Sequence, residues 1–329
     1  MAPGAVVEVG PDASVERQAV DGGRRVEPGD ALVVATSGTT GAPKGVVLAH
    51  EAVAASARAT SGRLGIDRHR HRWLACLPLS HIGGLSVVTR ALTTETPLDV
   101  HPGFDPAAVM SAARESGATH VSLVATAMSR IDPAIFECIV LGGAAPPPDR
   151  PAHVIATYGM TETGSGVVYD GYPLDGVDVR AVDGELQLRG PMLLRAYRDG
   201  NDPRTGDGWL PTGDLGVVDA ATGRVTVLGR AGDLIITGGE NVWPTPVEQV
   251  LLAHPEVAEV AVIGRPDPEW GQRVVAVVVP TDAGSPPTLD DLRRHVKEQL
   301  PAFAAPRELE LVASLPRTAL GKVVRVELH

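Results

Sequence analysis

A chain of 329 residues is long enough for roughly two domains, and with 43% hydrophobic and 21% charged residues it has the composition of a globular protein able to bury a core. The formal net charge of −11, with no run of Lys and Arg to break it, argues against a nucleic-acid partner. No stretch approaches the roughly 20 apolar residues that cross a bilayer, and MAPGAVVEVGPDASVERQ has no basic flank leading into an apolar core, so the chain reads as cytoplasmic, with no signal peptide.

Residues 1–30 are rich in Gly, Pro and charge and read as a short strand or a tail. ALVVAT (31–36) reads as a buried strand that ends at a Gly-rich turn, and VVLAH resumes a strand pattern beyond it. Ala52 to Leu64 is alanine-rich and helical. WLACLPL is a strand candidate, and Asp105 is placed to cap a helix whose first residue is Pro106. THVSLVAT, IFECIVLGG and HVIATYG read as further strands, with Cys76 and Cys138 as buried strand cysteines. This alternation predicts a mainly parallel α/β layer, whose ligands gather at the carboxyl ends of strands. Three apolar runs end there in polar or Gly-rich loops: TSGTTG, GGAAPP and YGMTETGSG.

After residue 175 the pattern becomes that of antiparallel hairpins with Asp-Gly and Thr-Gly turns, in VDVRAVDGELQLRG and LGVVDAATGRVTVLGR. The last hundred residues or so read as compact α+β, with a helix over Pro246 to Ala253, strands VAEVAVIGR and QRVVAVVVP, and a helix capped by Thr288. The expected fold is α/β: a large N-terminal domain of layered sheets with a hairpin-rich subdomain (1–229), and a small, mobile α+β domain (230–329).

The densest chemical signal is Thr36-Ser37-Gly38-Thr39-Thr40-Gly41-Ala42-Pro43-Lys44-Gly45. Glycines let backbone N–H groups turn toward an anion, hydroxyls add donors, and Lys44 adds a point charge. It differs from the common phosphate loop, because Lys44 is not followed by Ser or Thr. In Tyr158-Gly159-Met160-Thr161-Glu162-Thr163, the ring could stack on a base, Thr161 could meet a phosphate and Glu162 could offer an oxygen to Mg²⁺. Taken alone, that hexapeptide is equally a plain turn. Asp214, in GWLPTGDLG, is either a turn residue or a carboxylate for two ribose hydroxyls. Arg230 follows Leu228-Gly229, Gly238-Gly239-Glu240-Asn241 is a tight turn, and PRTALGK presents Lys322 near the C-terminus. Singly, each of these has an ordinary surface reading.

Together and in this order, TSGTTGAPKG, YGMTET, GWLPTGDLG, LGRAGDLIITGGENVWPTPVE and PRTALGK resemble the adenylate-forming superfamily of acyl-CoA synthetases, luciferases and peptide-synthetase adenylation domains, from about residue 30 onward. LPLSHIGGLSVVTRAL, VYDGYPLDGVDVR and PPTLDDLRRHVKEQL followed by AAPRELELV are most similar to the o-succinylbenzoate–CoA ligases of menaquinone synthesis. The resemblance implies an ATP- and Mg²⁺-dependent ligase with CoA as co-substrate. Thr36 to Lys44 would hold the β- and γ-phosphates, and Gly142, Gly143 and Ala144 would line the adenine, with Tyr158 packed on it. Thr161 would bind the α-phosphate, Glu162 the metal, and Asp214 with Arg230 the ribose. Lys322 would join carboxylate and α-phosphate, and would be withdrawn when the small domain turns about Gly232. His81, Ser86 and Arg90 would line the acyl pocket, opposite Gly164 and Ser165.

A second carboxylate on the acid needs a cation, and Arg90 or His81 would supply it; a helix-surface Arg and a packed His are the plain alternatives. The chain has about 35 residues ahead of the phosphate loop where most of the superfamily has over a hundred. What covers that flank is left open, a homo-oligomer interface being one answer. A fatty- or aryl-acid ligase, a carrier-protein loading enzyme and a non-catalytic nucleotide-binding relative remain open alternatives. Retention of Lys44, Glu162, Asp214, Arg230 and Lys322 speaks against the last.

Overall fold

The computed structural model describes residues 5–9, 15–19, 26–36, 44–143, 146–147, 149–317 and 323–328. Strands β1 (Ala5–Val9) and β2 (Val15–Ala19) form an antiparallel hairpin. β3 (Asp30–Ala35) and β4 (Gly45–Ala49) form another, joined at its far edge by a later strand, β14 (Ala196–Tyr197). The expectation that ALVVAT belongs to a buried parallel layer is therefore corrected. It is the outer strand of a small antiparallel sheet, with Val33 42% exposed. A short apolar run cannot by itself tell these two settings apart.

The central sheet contains β5 (Trp73–Ala75), β6 (Leu98–Val100), β7 (His120–Leu123), β8 (Cys138–Leu141), β9 (Val154–Met160), β10 (Ser165–Tyr169) and β11 (Tyr172–Pro173). Its order among the described residues is β11-β10-β9-β8-β7-β5-β6. β6, β5, β7, β8 and β9 are mutually parallel, and β10 and β11 turn back antiparallel. Side chains alternate between two buried faces. Trp73, Ala75, Cys138 and Val140 pack toward helices α1 (His50–Arg63) and α2 (Ile82–Thr94). Leu74, Cys76, Ile139 and Leu141 pack toward α3 (Pro106–Ser111) and α4 (Ala125–Met128). Burial on both faces explains the unbroken apolar runs; each such Val, Leu or Ile contributes about 1.5–3 kcal/mol.

Asp105 caps α3 as expected, accepting the Ala108 N–H at 2.8 Å, worth about 1 kcal/mol. The helix then widens into a π-turn over Ala112–Ser116 rather than continuing as α. Both cysteines are buried, and burial raises the Cys76 thiol to about 12 and Cys138 to about 11, which keeps them protonated and unreactive.

The expected hairpins form a separate antiparallel sheet, β12 (Asp178–Val182), β13 (Glu185–Arg189), β15 (Leu210–Val218) and β16 (Val225–Arg230), while β14 (Ala196–Tyr197) leaves it to pair with β4. Beyond a 3₁₀ turn over Ala231–Asp233 lies a mixed sheet of β17 (Ile235–Thr237), β18 (Glu240–Val242), β19 (Val257–Asp267), β20 (Gly271–Pro280) and β21 (Glu308–Leu311). Helices α5 (Pro244–Leu252) and α6 (Leu289–Lys297) cover one of its faces through Val247, Leu251, Leu292 and Val296. Thr288 caps α6, its hydroxyl accepting the Asp291 N–H at 3.2 Å. Among the described residues no helix is long and apolar enough to cross a membrane.

Candidate active site

The phosphate-loop candidate is a hairpin loop whose stem is closed by its own first and last polar residues. Thr36 donates its N–H to the Lys44 carbonyl at 2.8 Å, and Lys44 donates its N–H to Thr36 Oγ1 at 3.1 Å. Ser37, Gly38, Thr39, Thr40 and Gly41, with Ala42 and Pro43, lie outside the described residues, as does Ala144. Gly45 has a steric reason to be glycine, because a Cβ there would stand 2.9 Å from Arg198 Cβ on the segment that follows β14.

Glu162 lies in the 3₁₀ turn Thr161–Thr163 at the end of β9 and is 6% exposed. Its Oε1 accepts the Tyr197 hydroxyl at 2.9 Å, and its carbonyl accepts the Leu194 N–H at 2.7 Å. The other carboxylate oxygen has no hydrogen-bond partner among the described residues. Lys44 Nζ stands 4.8 Å from the centroid of the Tyr197 ring, so one tyrosine touches both candidate groups. Burial, then the Glu162 carboxylate, pushes the Tyr197 phenol up, so it donates rather than accepts. Thr163 is fully buried and braces the turn, its hydroxyl reaching the carbonyls of Met160 and Ser165 at 2.9 and 2.6 Å. Where β9 meets β10, a Cβ on Gly159 would stand 2.3 Å from the Ser165 carbonyl oxygen, which only glycine avoids. Thr161, adjacent, is half-buried.

A single hard carboxylate oxygen, held still beside a lysine, suits Mg²⁺ bound mainly through a polyphosphate. Among the described residues no group of three or more His, Cys, Asp or Glu could hold a metal by itself.

Tyr158, Asp214 and Arg230 converge as a second cluster. Asp214 is 6% exposed; its Oδ2 accepts the Tyr158 hydroxyl at 2.7 Å and its Oδ1 pairs with Arg230 Nε at 2.9 Å. Asp214 and Arg230 are register partners across β15 and β16. Thr212 completes the frame, its Oγ1 accepting the Asp214 N–H at 3.0 Å while its carbonyl accepts Arg230 Nη1 at 2.9 Å. Burial, and secondarily the Asp214 carboxylate, pushes the Tyr158 phenol up and keeps it a donor. Tyr158 and Arg230 thus hold the buried Asp214 carboxylate from two sides. Gly142 and Gly143 lie at the end of β8, the neighbour of β9, where the Gly142 N–H donates to the Leu123 carbonyl at 3.1 Å.

A third cluster joins α2 to β10. Arg90 is 2% exposed and lies over the Trp73 ring at 4.6 Å, which corrects the helix-surface alternative. Its Nη2 donates to Ser165 Oγ at 3.2 Å, and Ser165 Oγ lies 3.5 Å from Ser86 Oγ. Nε and Nη1 are buried with no partner, and the guanidinium makes no ion pair among the described residues. Burial lowers the proton affinity of Arg90, though an arginine remains charged. Gly164 is buried beside Ser165. His81 precedes α2 and is half-buried, with no side-chain hydrogen bond capping the helix.

Lys322 lies outside the described residues, but the stem that bears it does not. Arg317 bridges Val323, the Val324 N–H donates to the Pro316 carbonyl at 2.9 Å, and Arg317 pairs with Glu259 of β19 at 2.7 Å. Gly232 occupies the turn between β16 and β17. Tyr197, Thr212 and Thr163 were not singled out as site residues from sequence. Tyr197 stands in LLRAYRDG, which has no glycine cluster around it, whereas the TGD triplet was a signal for Thr212.

Two family models match the chain, "AMP-binding enzyme" over residues 8–243 and "AMP-binding enzyme C-terminal domain" over residues 246–322. A probable 2-succinylbenzoate–CoA ligase from Mycobacterium tuberculosis is 42% identical over 330 residues, covering 93% of this chain and 85% of that protein. The o-succinylbenzoate CoA synthetase of Bacillus subtilis, in complex with its acyl-adenylate intermediate, superposes with a TM-score of 0.81 at 34% identity, over 90% of this chain and 68% of that one. The same Bacillus subtilis enzyme with ATP and magnesium ion gives 0.80 at 32% identity, over 93% of this chain and 72% of that one.

Proposed function

Since this chain belongs to the AMP-binding enzyme family, we propose that it is an AMP-forming acid–CoA ligase that converts o-succinylbenzoate, ATP and CoA to the acyl-CoA, AMP and pyrophosphate for menaquinone synthesis, in the cytoplasm. Its relatives' names support the reaction class and the acid. The observation that carries the choice of acid is Arg90: a buried cation with two unpartnered nitrogens beside two serines. A buried unpaired charge is costly, and a carboxylate is the partner whose geometry a guanidinium fits. A purely apolar acyl tail would leave it unpaired. o-Succinylbenzoate keeps a second carboxylate after the first is activated.

In the first step a carboxylate oxygen attacks the α-phosphorus of ATP, the new C(O)O–P bond forms, and the bond to pyrophosphate breaks. Both reactants are anions, so the site must gather positive charge where charge develops. Lys44 and the Thr36–Lys44 loop would hold the β- and γ-phosphates. Thr161 would meet the α-phosphate, and Lys322 would bridge it to the attacking carboxylate. Mg²⁺, held through Glu162, would neutralise the polyphosphate. Asp214 with Arg230 would take the ribose, and Tyr158 with Gly142, Gly143 and Ala144 would flank the adenine. His81, Ser86, Arg90, Gly164 and Ser165 would line the acyl pocket.

In the second step the CoA thiol attacks the acyl carbon, the C–S bond forms and AMP leaves. We place the division of domains at 229/230 and the pivot at Gly232, so that rotation of the small domain withdraws Lys322 between the steps. A pyrophosphate-release screen over aromatic and aliphatic acids, with ATP, Mg²⁺ and CoA, tests the reading. Activity confined to o-succinylbenzoate supports it. Preference for a fatty acid would overturn the substrate, and silence with every acid would overturn the activity.

A further inference from the structure

Tyr197 touches two groups of the nucleotide site while belonging to neither motif. β14 pairs with β4 through Ala196↔Val47 and Tyr197↔Val46, and the Arg198 N–H donates to the Gly45 carbonyl at 2.6 Å. The tyrosine is thus carried on a strand paired with β4, the strand that leads out of the phosphate-loop candidate. On the other side, residues 194–197 hold Glu162 twice: the Leu194 N–H meets its carbonyl at 2.7 Å and the Tyr197 hydroxyl meets Oε1 at 2.9 Å. The Tyr197 ring presents its face to Lys44 Nζ at 4.8 Å, the geometry of a cation–π contact. A turn closed by Tyr197 N–H to the Asn201 carbonyl at 2.8 Å fixes the backbone behind the ring.

We propose that Tyr197 is a positioning residue that sets the Glu162 carboxylate and the Lys44 ammonium as one unit, so that the metal and the outer phosphates of ATP are received together. This rests on the reading of Glu162 as the metal carboxylate and Lys44 as a phosphate ligand. The hydroxyl occupies Oε1 and turns the second oxygen toward the cation. The ring keeps the flexible lysine stem from sampling positions away from the phosphates. The two halves of the side chain therefore have separable roles.

Tyr197→Phe removes only the hydroxyl, and Tyr197→Leu removes the ring face as well. Binding of a non-hydrolysable ATP analogue, followed by calorimetry over a Mg²⁺ series and again in EDTA, reads the two roles without turnover. Tyr197→Phe should raise the Mg²⁺ concentration at half-effect by about tenfold to hundredfold, the range for one hydrogen bond to a charged group, and leave the EDTA affinity unchanged. Tyr197→Leu should also weaken binding in EDTA. In a Glu162→Gln background the additional shift from Tyr197→Phe should vanish, which a general loosening of the fold would not produce. An unchanged Mg²⁺ curve for Tyr197→Phe while Glu162→Gln shifts it would overturn the proposal and leave the metal reading intact. An undiminished shift in the Glu162→Gln background would also overturn it. If Glu162→Gln leaves the Mg²⁺ curve in place, the metal reading fails and the proposal with it.

Discussion

Arg90 donates Nη2 to Ser165 Oγ at 3.2 Å across the space between α2 and β10, and its remaining two nitrogens are buried without partners among the described residues. Stability and activity therefore pull this residue in opposite directions. Arg90→Met keeps the length of the side chain and removes the charge. The lost contact with the Trp73 ring costs about 2 kcal/mol, and the relief of an unpaired buried charge offsets that or more. The variant should be at least as stable as the parent in urea unfolding. Its kcat/KM for o-succinylbenzoate should fall about tenfold to hundredfold, with the KM for ATP unchanged. A clear loss of stability with normal use of the acid would show that Arg90 is a structural residue.

Gly232 is not required by the conformation described. Its φ lies outside the left-handed region, and a Cβ built there meets nothing within 4 Å. Gly232→Ala should therefore leave thermal stability unchanged or raise it slightly, by about 0.4–1 kcal/mol. Gly232→Pro, which fixes φ, should slow transfer of the acyl group to CoA far more than formation of the adenylate. Equal losses in both half-reactions would remove Gly232 as the pivot.

His120 gives the fold a predictable response to acid. It is 2% exposed, its Nδ1 lies 2.9 Å from Thr119 Oγ1, and burial, followed by nearby His71 and Arg90, lowers its pKa from 6.5 to about 4. As pH falls below 6.5, the unfolded chain takes up a proton that the folded chain refuses until about pH 4. Stability is therefore lost across that interval, by up to about 3 kcal/mol at its lower end. His120→Gln should remove this component, so its stability relative to the parent should rise as pH falls from 7 to 4. A difference independent of pH would mean that His120 titrates normally.

The candidate nucleotide groups stand out in the sequence because each sits in a local run of unusual residue types. Lys44 follows a run of glycines and hydroxyls, Glu162 closes a strand, and Asp214 sits between glycines. The parallel layer was legible because both faces of β5 and β8 are covered, which leaves unbroken apolar runs. Tyr197 was not legible: its role arises from the pairing of β14 with β4, a contact between segments about 150 residues apart that no local pattern encodes. The burial of Arg90 was hidden for a similar reason. The ring of Trp73 and the hydroxyl of Ser165, both on other elements, meet the cation on that face of α2. The misplacement of ALVVAT reflects the same limit, since apolar content reports burial and not which sheet a strand joins.

In the proposed reaction Lys322 serves the first half-reaction and leaves for the second. The direct measurement is Lys322→Ala assayed separately for acid-dependent pyrophosphate exchange and for CoA transfer from presynthesised acyl-adenylate. Exchange should fall on the order of 10²–10³-fold, the usual loss of one preorganised charge, while transfer stays within a few-fold of the parent. Retention of full exchange activity, or an equal collapse of both half-reactions, would contradict it.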